Sequence, residues 1–202
     1  MMKTVTLDWN CIIDIEQKSQ FAPAIHALID AFRRGEIDLA VPEVAAAEQQ
    51  RGGGYLETFP EFEARLSQSG LDGVRLLPVI AYFGVSFFGR GFFGGSDEMI
   101  TLERRIQDVL HPEVEFSLEE YCVRHGGDPS VPPMPDKWRN AKCDVQALWS
   151  HVHARRDCFV TRDEEFFKGR KARLEALGAG AILRPSEAAS LIVAAPLTSR
   201  CS

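Results

Sequence analysis

The stretch from Asn140 to Phe167, NAKCDVQALWSHVHARRDCFVTRDEEFF, decides how the rest of the chain is read. Ala141, Val145, Leu148 and Val152 recur at i, i+4, i+7 and i+11, the stripe of a helix that buries one face. Arg155, Arg156 and Asp157 form a polar turn, and Cys158, Phe159 and Val160 make a short apolar run of the kind a buried parallel strand shows. Thr161 and Glu164 have capping-box spacing, which predicts a helix capped by Thr161 with Asp163 in its first turn. Helix, turn, strand and helix together place Asp144 and Asp163 at the edge of a sheet.

Working outward, Lys3 to Leu7 reads as a strand that ends in Asp8, and Cys11 to Ile15 as the start of a helix. A helix over 22–34 follows, with Ile25, Leu28, Ile29 and Phe32 on one face and Gly35 as its stop. Ile37 to Val41 is the next strand, and Pro42 opens a helix predicted to run through Ala45, Ala46 and Ala47 to Glu48. Val74 to Ile80 is a further strand candidate, and 99–110 is an amphipathic helix closed by Pro112. Ser117 and Glu120 form a second capping box, and the proline-rich 128–135 leads into the central helix. The chain closes with a strand at Ala181 to Leu183 and a helix over 185–193. Strand and helix in alternation imply an α/β fold with a parallel sheet.

The 202 residues, 45% hydrophobic and 26% charged, suffice for one compact domain. Five cysteines without a C-x-x-C pair suit a reducing cytoplasm, and the longest apolar run, Leu76 to Phe88, is broken by Pro78 and Gly84 and too short to cross a bilayer. The expectation is a soluble cytoplasmic protein with no membrane partner. A net charge of −6 argues against indiscriminate nucleic-acid binding, yet 137–173 carries ten Lys or Arg against five Asp or Glu, a local +5 against −11 for the rest. That basic stretch is either a solvated surface or a phosphate-facing patch. Between Tyr82 and Gly95 the run YFGVSFFGRGFFGG has neither helical nor strand period, and reads as a loop that seats its aromatics in a groove, or as a flap or partner surface.

Four acids stand out by position: Asp8 after the first strand, Glu48 after the second, Asp144 on the central helix and Asp163 after the following strand. Each alone has an ordinary reading as a turn residue, a solvated helix residue, a surface charge or a helix terminus. Asp14, Glu16 and Glu43 lie near enough to substitute, and Glu43 competes with Glu48. If the sheet is doubly wound, the four converge on one crevice, where unneutralised carboxylates repel and their pKa values climb. Mg²⁺ or Mn²⁺ resolves the conflict, because both take oxygen ligands and leave positions open for water and phosphate. Such ions serve in-line phosphodiester cleavage.

At these residues the chain resembles the PIN-domain nucleases. VTLDWNCIID is similar to that family's opening aspartate with an asparagine two residues later. VPEVAAAEQQ resembles its second motif, which selects Glu48, and CDVQALWSHVHARRDCFVTRDEEFF resembles the third and fourth, with Asp144 on the helix and Thr161-Arg162-Asp163 at the strand end. ILRPSEAASLI is similar to the closing strand and proline-started helix. The likeness covers roughly the first fifty and the last sixty-five residues, leaving 81–135, with the Phe/Gly-rich loop and two helices, as an insertion in a single domain over 1–202. It implies a three-layer α/β/α fold and a Mg²⁺- or Mn²⁺-dependent endoribonuclease. Asp8, Glu48, Asp144 and Asp163 are then the catalytic metal ligands, and Asn10 and Thr161 support them by hydrogen bonds. It also implies RNA as substrate, a small antitoxin as partner if the chain is a toxin of a toxin–antitoxin pair, and a homodimer. Arg162, Arg139, Lys142 and Lys168 are the candidate phosphate contacts.

Competing constellations are weaker. His151 and His153 point in different directions on a helix, and Cys122 with His125 lacks a second ligand pair for zinc. An aspartyl-nucleophile phosphatase also places an aspartate after the first strand, but needs an acid where Asn10 stands. A non-catalytic nucleic-acid- or protein-binding module on the same fold is the alternative from another class, against which the presence of all four acids counts.

Overall fold

Among the described residues every strand is short and no neighbouring pair in the sheet runs antiparallel, so the sheet depends on helices covering both of its faces. The structure is a computed structural model that describes residues 2–48, 56, 58–82, 85, 91–92 and 94–193. In chain order the elements are β1 (Lys3–Leu7), α1 (Trp9–Glu16), α2 (Ala22–Arg33), β2 (Ile37–Pro42), α3 (Phe59–Gln68), β3 (Arg75–Leu77) and α4 (Asp97–Leu110). There follow α5 (Leu118–His125), α6 (Asp136–His153), β4 (Cys158–Val160), α7 (Lys171–Leu174), β5 (Ala181–Leu183) and α8 (Pro185–Val193). The strand order is β3-β2-β1-β4-β5, all parallel, which makes a three-layer α/β/α fold.

Alternate side chains go to opposite faces of the strands. Val5, Leu7, Leu39, Val41 and Val160 pack with α1, α2 and α3, and Ala188 of α8 joins them. Phe159 and Ile182 pack on the other face with Ile106 and Leu110 of α4 and Val145, Leu148 and Trp149 of α6. Thr6 lies at the central strand on this second face, buried, and its hydroxyl donates to His151 Nδ1 at 2.8 Å while His151 Nε2 donates to the Ala179 carbonyl at 2.8 Å. Those partners fix the ring in its Nε2–H form. Burial pushes the His151 pKa from 6.5 down to about 4.

The lower, N-terminal edge of the sheet is tied by polar groups. Arg156 donates to the Val5 and Asp38 carbonyls at 3.0 and 2.6 Å and pairs with the Asp38 carboxylate at 3.2 Å, bridging β1 and β2. Asp157 accepts from the Thr4 amide and hydroxyl at 2.8 and 2.9 Å. The upper, C-terminal edge is left for the site.

Three sequence expectations change. The helix over Pro42 to Glu48 is a 3₁₀ turn, Glu43–Ala47, after which Glu48 is extended. Its alanines are buried, and Arg139 of α6 donates twice to the Ala47 carbonyl, at 3.1 and 2.8 Å, so packing overrides alanine's helix propensity. Thr161 does not cap a helix: Asp163 caps a 3₁₀ turn, Glu164–Phe166, by accepting from the Glu165 amide at 2.9 Å. The strand at Val74 to Ile80 shortens to β3. The box at Ser117 and Glu120 has both of its bonds. Most of the Phe/Gly loop lies outside the described residues, but Phe92 is held by its amide on the Val79 carbonyl at 2.8 Å and by edge contacts to Trp149 and His153. Cys11, Cys122, Cys143 and Cys158 are buried free thiols, and no helix among the described residues is long and apolar enough to cross a membrane.

Candidate active site

The order in which strands are added reverses between β1 and β4, because β1 leads outward to β2 and β3 while β4 leads the other way to β5. Loops that part at such a switch point leave a crevice at the strands' C-terminal ends. Asp8 follows β1 and Asp163 lies three residues past β4, one on each side of it.

Hydrogen bonds close this crevice into a fixed arrangement. Asp8 is the N-cap of α1 and accepts from the Trp9 amide at 2.8 Å. Its other oxygen accepts from the Thr161 hydroxyl at 2.7 Å and the Asn10 amide nitrogen at 2.5 Å. Thr161 Oγ1 in turn accepts from the Asn10 side chain at 2.9 Å and the Asp163 amide at 3.0 Å, while Asn10 Oδ1 accepts from the Arg162 amide at 3.2 Å. Asn10 and Thr161 therefore hold the ends of β1 and β4 together.

Glu48 arrives from the end of the 3₁₀ turn and Asp144 from α6. Burial lifts the Asp8 pKa from 3.8 to about 7, and the Asp144 and Asp163 charges push it the same way against the Thr161 bond. Burial likewise raises Glu48 well above the carboxylate range, with Asp8, Asp144 and Asp163 adding to it. Asp144 is raised by burial, offset by His111, with Asp163 again repelling. Every pairing among the four acids is thus a repulsion, which puts them in one electrostatic field. Asp144 is not sealed, since its side chain keeps 25% of its surface open. Asp14 and Glu16 are engaged instead with Arg162 and Arg65, at 2.8 and 2.5 Å.

An oxygen-only set of four mutually repelling carboxylates suits a hard divalent cation, Mg²⁺ or Mn²⁺, and no thiol or imidazole is needed to complete it. Among the described residues no three His, Cys, Asp or Glu side chains stand close enough to hold an ion as they lie.

The basic candidates divide. Arg162 is 38% exposed beside the site, its Nε 2.8 Å from Asp14 but off the hydrogen-bond line. Lys168 is exposed and pairs with Glu165 at 2.5 Å. Arg139 is turned to the Ala47 carbonyl. Lys142 is a correction: it is 1% exposed, with its ammonium 2.9 Å from Glu103 and beneath the rings of Tyr82 and Phe116, and so cannot reach a phosphate. One residue near the acids was not legible in the sequence. His111, which ends α4, lies with Nε2 3.0 Å from Asp144 Oδ2. Its only sequence signal is a histidine before Pro112 at a helix end.

A scan of the chain against models of known protein families finds no match, and a search of curated proteins finds none either.

Proposed function

We propose that this protein is a metal-dependent phosphodiesterase whose ligands are Asp8, Glu48, Asp144 and Asp163. The observation that carries the reading is the mutual repulsion of these four acids at the β1/β4 switch point, with Asp8 raised to about 7. A charge arrangement that opposes ionisation at neutral pH is costly without a cation and is relieved by one. When bound, Mg²⁺ or Mn²⁺ supplies Lewis acidity toward a phosphodiester. The chain's own groups do the rest: Asn10 and Thr161 orient Asp8, and Arg162 offers a guanidinium to a substrate phosphate.

The particular activity we assign is endoribonuclease, acting on single-stranded RNA, on the strength of the family resemblance in the residues that surround the four acids. A cytoplasmic location, a small inhibitory antitoxin and a homodimer belong to the same proposal, tested by fractionation, by co-purification with the product of a neighbouring gene and by sedimentation. The direct experiment is cleavage of single-stranded RNA in Mg²⁺ or Mn²⁺ by wild type, Asp8→Asn and Asp144→Asn. Both variants should lose the activity, as should wild type in chelator. Activity that survives all three rejects the mechanism, and phosphate release from small monoesters would favour the phosphatase.

A further inference from the structure

The segment between β3 and α6 lies outside the stretches that carry the family resemblance, yet it reaches the acid cluster. Glu103 and Gln107 lie four residues apart on one stripe of α4, and His111, four residues further on, is the residue that caps the helix's C-terminal end. Glu103 accepts from Lys142 Nζ at 2.9 Å and Gln146 Nε2 at 2.8 Å, and both partners lie on α6. Gln107 donates to the Val114 and Glu115 carbonyls at 2.8 and 3.0 Å, and Trp138 of α6 donates to the Glu115 carbonyl at 3.1 Å. The Trp149 indole donates to the Met99 carbonyl at 3.1 Å, and Ile106 and Leu110 are fully buried. Buried polar pairs of this kind fix the register of one helix against another, because any slip leaves a charge unpaired. The register they set delivers His111 to Asp144, 3.0 Å away and one helical turn beyond the last of them.

We infer that α4 is part of the active site and that His111 is a positioning residue, its Nε2–H holding the Asp144 carboxylate in the orientation in which it takes a divalent cation. An ionised carboxylate can only accept, so against the ionised Asp144 that would take a cation this ring nitrogen donates, whether the imidazole is neutral or charged. Outer groups that orient a ligating side chain typically change metal affinity or activity by about 10–100-fold when removed. The inference rests on the proposed metal site, and the test separates the two. Mn²⁺ binding is measured by calorimetry, alongside unfolding temperature and RNA cleavage, for wild type, His111→Phe and His111→Gln. Phe keeps the ring's volume without the donor, whereas Gln places an amide N–H near the position of Nε2. His111→Phe should weaken Mn²⁺ affinity about 10–100-fold and lower kcat more than it alters KM, while His111→Gln recovers most of both. Wild type that binds Mn²⁺ together with a Phe variant that binds equally well overturns the role of His111 alone. Wild type that binds no Mn²⁺ overturns it together with the metal site.

Discussion

Replacing Asp8 by Asn should make the protein more stable and inactive at once. Burial and the neighbouring acids raise the Asp8 pKa from 3.8 to about 7. The native state then holds a proton that the unfolded chain has released between those two values. The Asp8 contribution is therefore most favourable below about pH 4, declines as pH rises through that window, and carries the whole penalty above about 7. A displacement of that size corresponds to about 4 kcal/mol. Asn removes that penalty but weakens the bonds that Asp8 accepts from Trp9, Asn10 and Thr161, at a cost of about 1–2 kcal/mol. The net gain at pH 8 in chelator is about 2–3 kcal/mol, or roughly 5–10 °C for a domain of this size. At pH 5 most of wild-type Asp8 is protonated and the advantage should vanish. Millimolar Mg²⁺ or Mn²⁺ should raise the wild-type unfolding temperature and leave Asp8→Asn nearly unmoved. Thermal melts followed by circular dichroism at both pH values, with and without the cation, measure all of this. An Asn variant less stable than wild type at pH 8 in chelator would refute the reasoning, because Asp8 would then be a net stabilising charge.

Other consequences can be checked separately. His151, held neutral by burial, has a folded pKa of about 4 against 6.5, so stability should fall as pH drops through that window, by about 3 kcal/mol in full. Urea titrations of wild type and His151→Gln should show the dependence flattened in the variant. Lys142→Ala strands Glu103 in the core and should cost about 3–5 kcal/mol, most of it recovered by Lys142→Met with Glu103→Gln, as denaturant midpoints will report. Arg162→Ala should weaken RNA binding uniformly across sequences and reduce the slope of log affinity against log salt by about 1, read by fluorescence anisotropy.

Local pattern makes much of this fold readable. The strand KTVTL, the apolar face of α2, the Ser117 box and the closing Ala181–Leu183 strand before Pro185 are each specified by their own few residues. Asp8 and Asp163 are legible because they follow strands, whose alternation marks the edge of the sheet, whereas Asn10 and Thr161 are singled out only by the family resemblance, Thr161 by its own residues reading as a helix cap. What escapes depends on packing between distant segments. The helix α6 reads as one-faced, yet it is buried on two sides, since α4 covers the face that carries Lys142 and Gln146. Charge at Lys142 therefore reads as surface. Its complement, Glu103, lies far back in the chain, and His111 reaches Asp144 only once that pairing is made. Glu48 reads as helical because Ala45, Ala46 and Ala47 favour a helix, whereas Arg139 and the core bind that segment as a tight turn.

The most direct test is anomalous diffraction from crystals grown with Mn²⁺ at pH 8. The account predicts a peak bounded by carboxylate oxygens of Asp8, Glu48, Asp144 and Asp163, with Asn10 and Thr161 behind Asp8. Crystals that show no peak there, or one on other residues while these four remain apart, would contradict it.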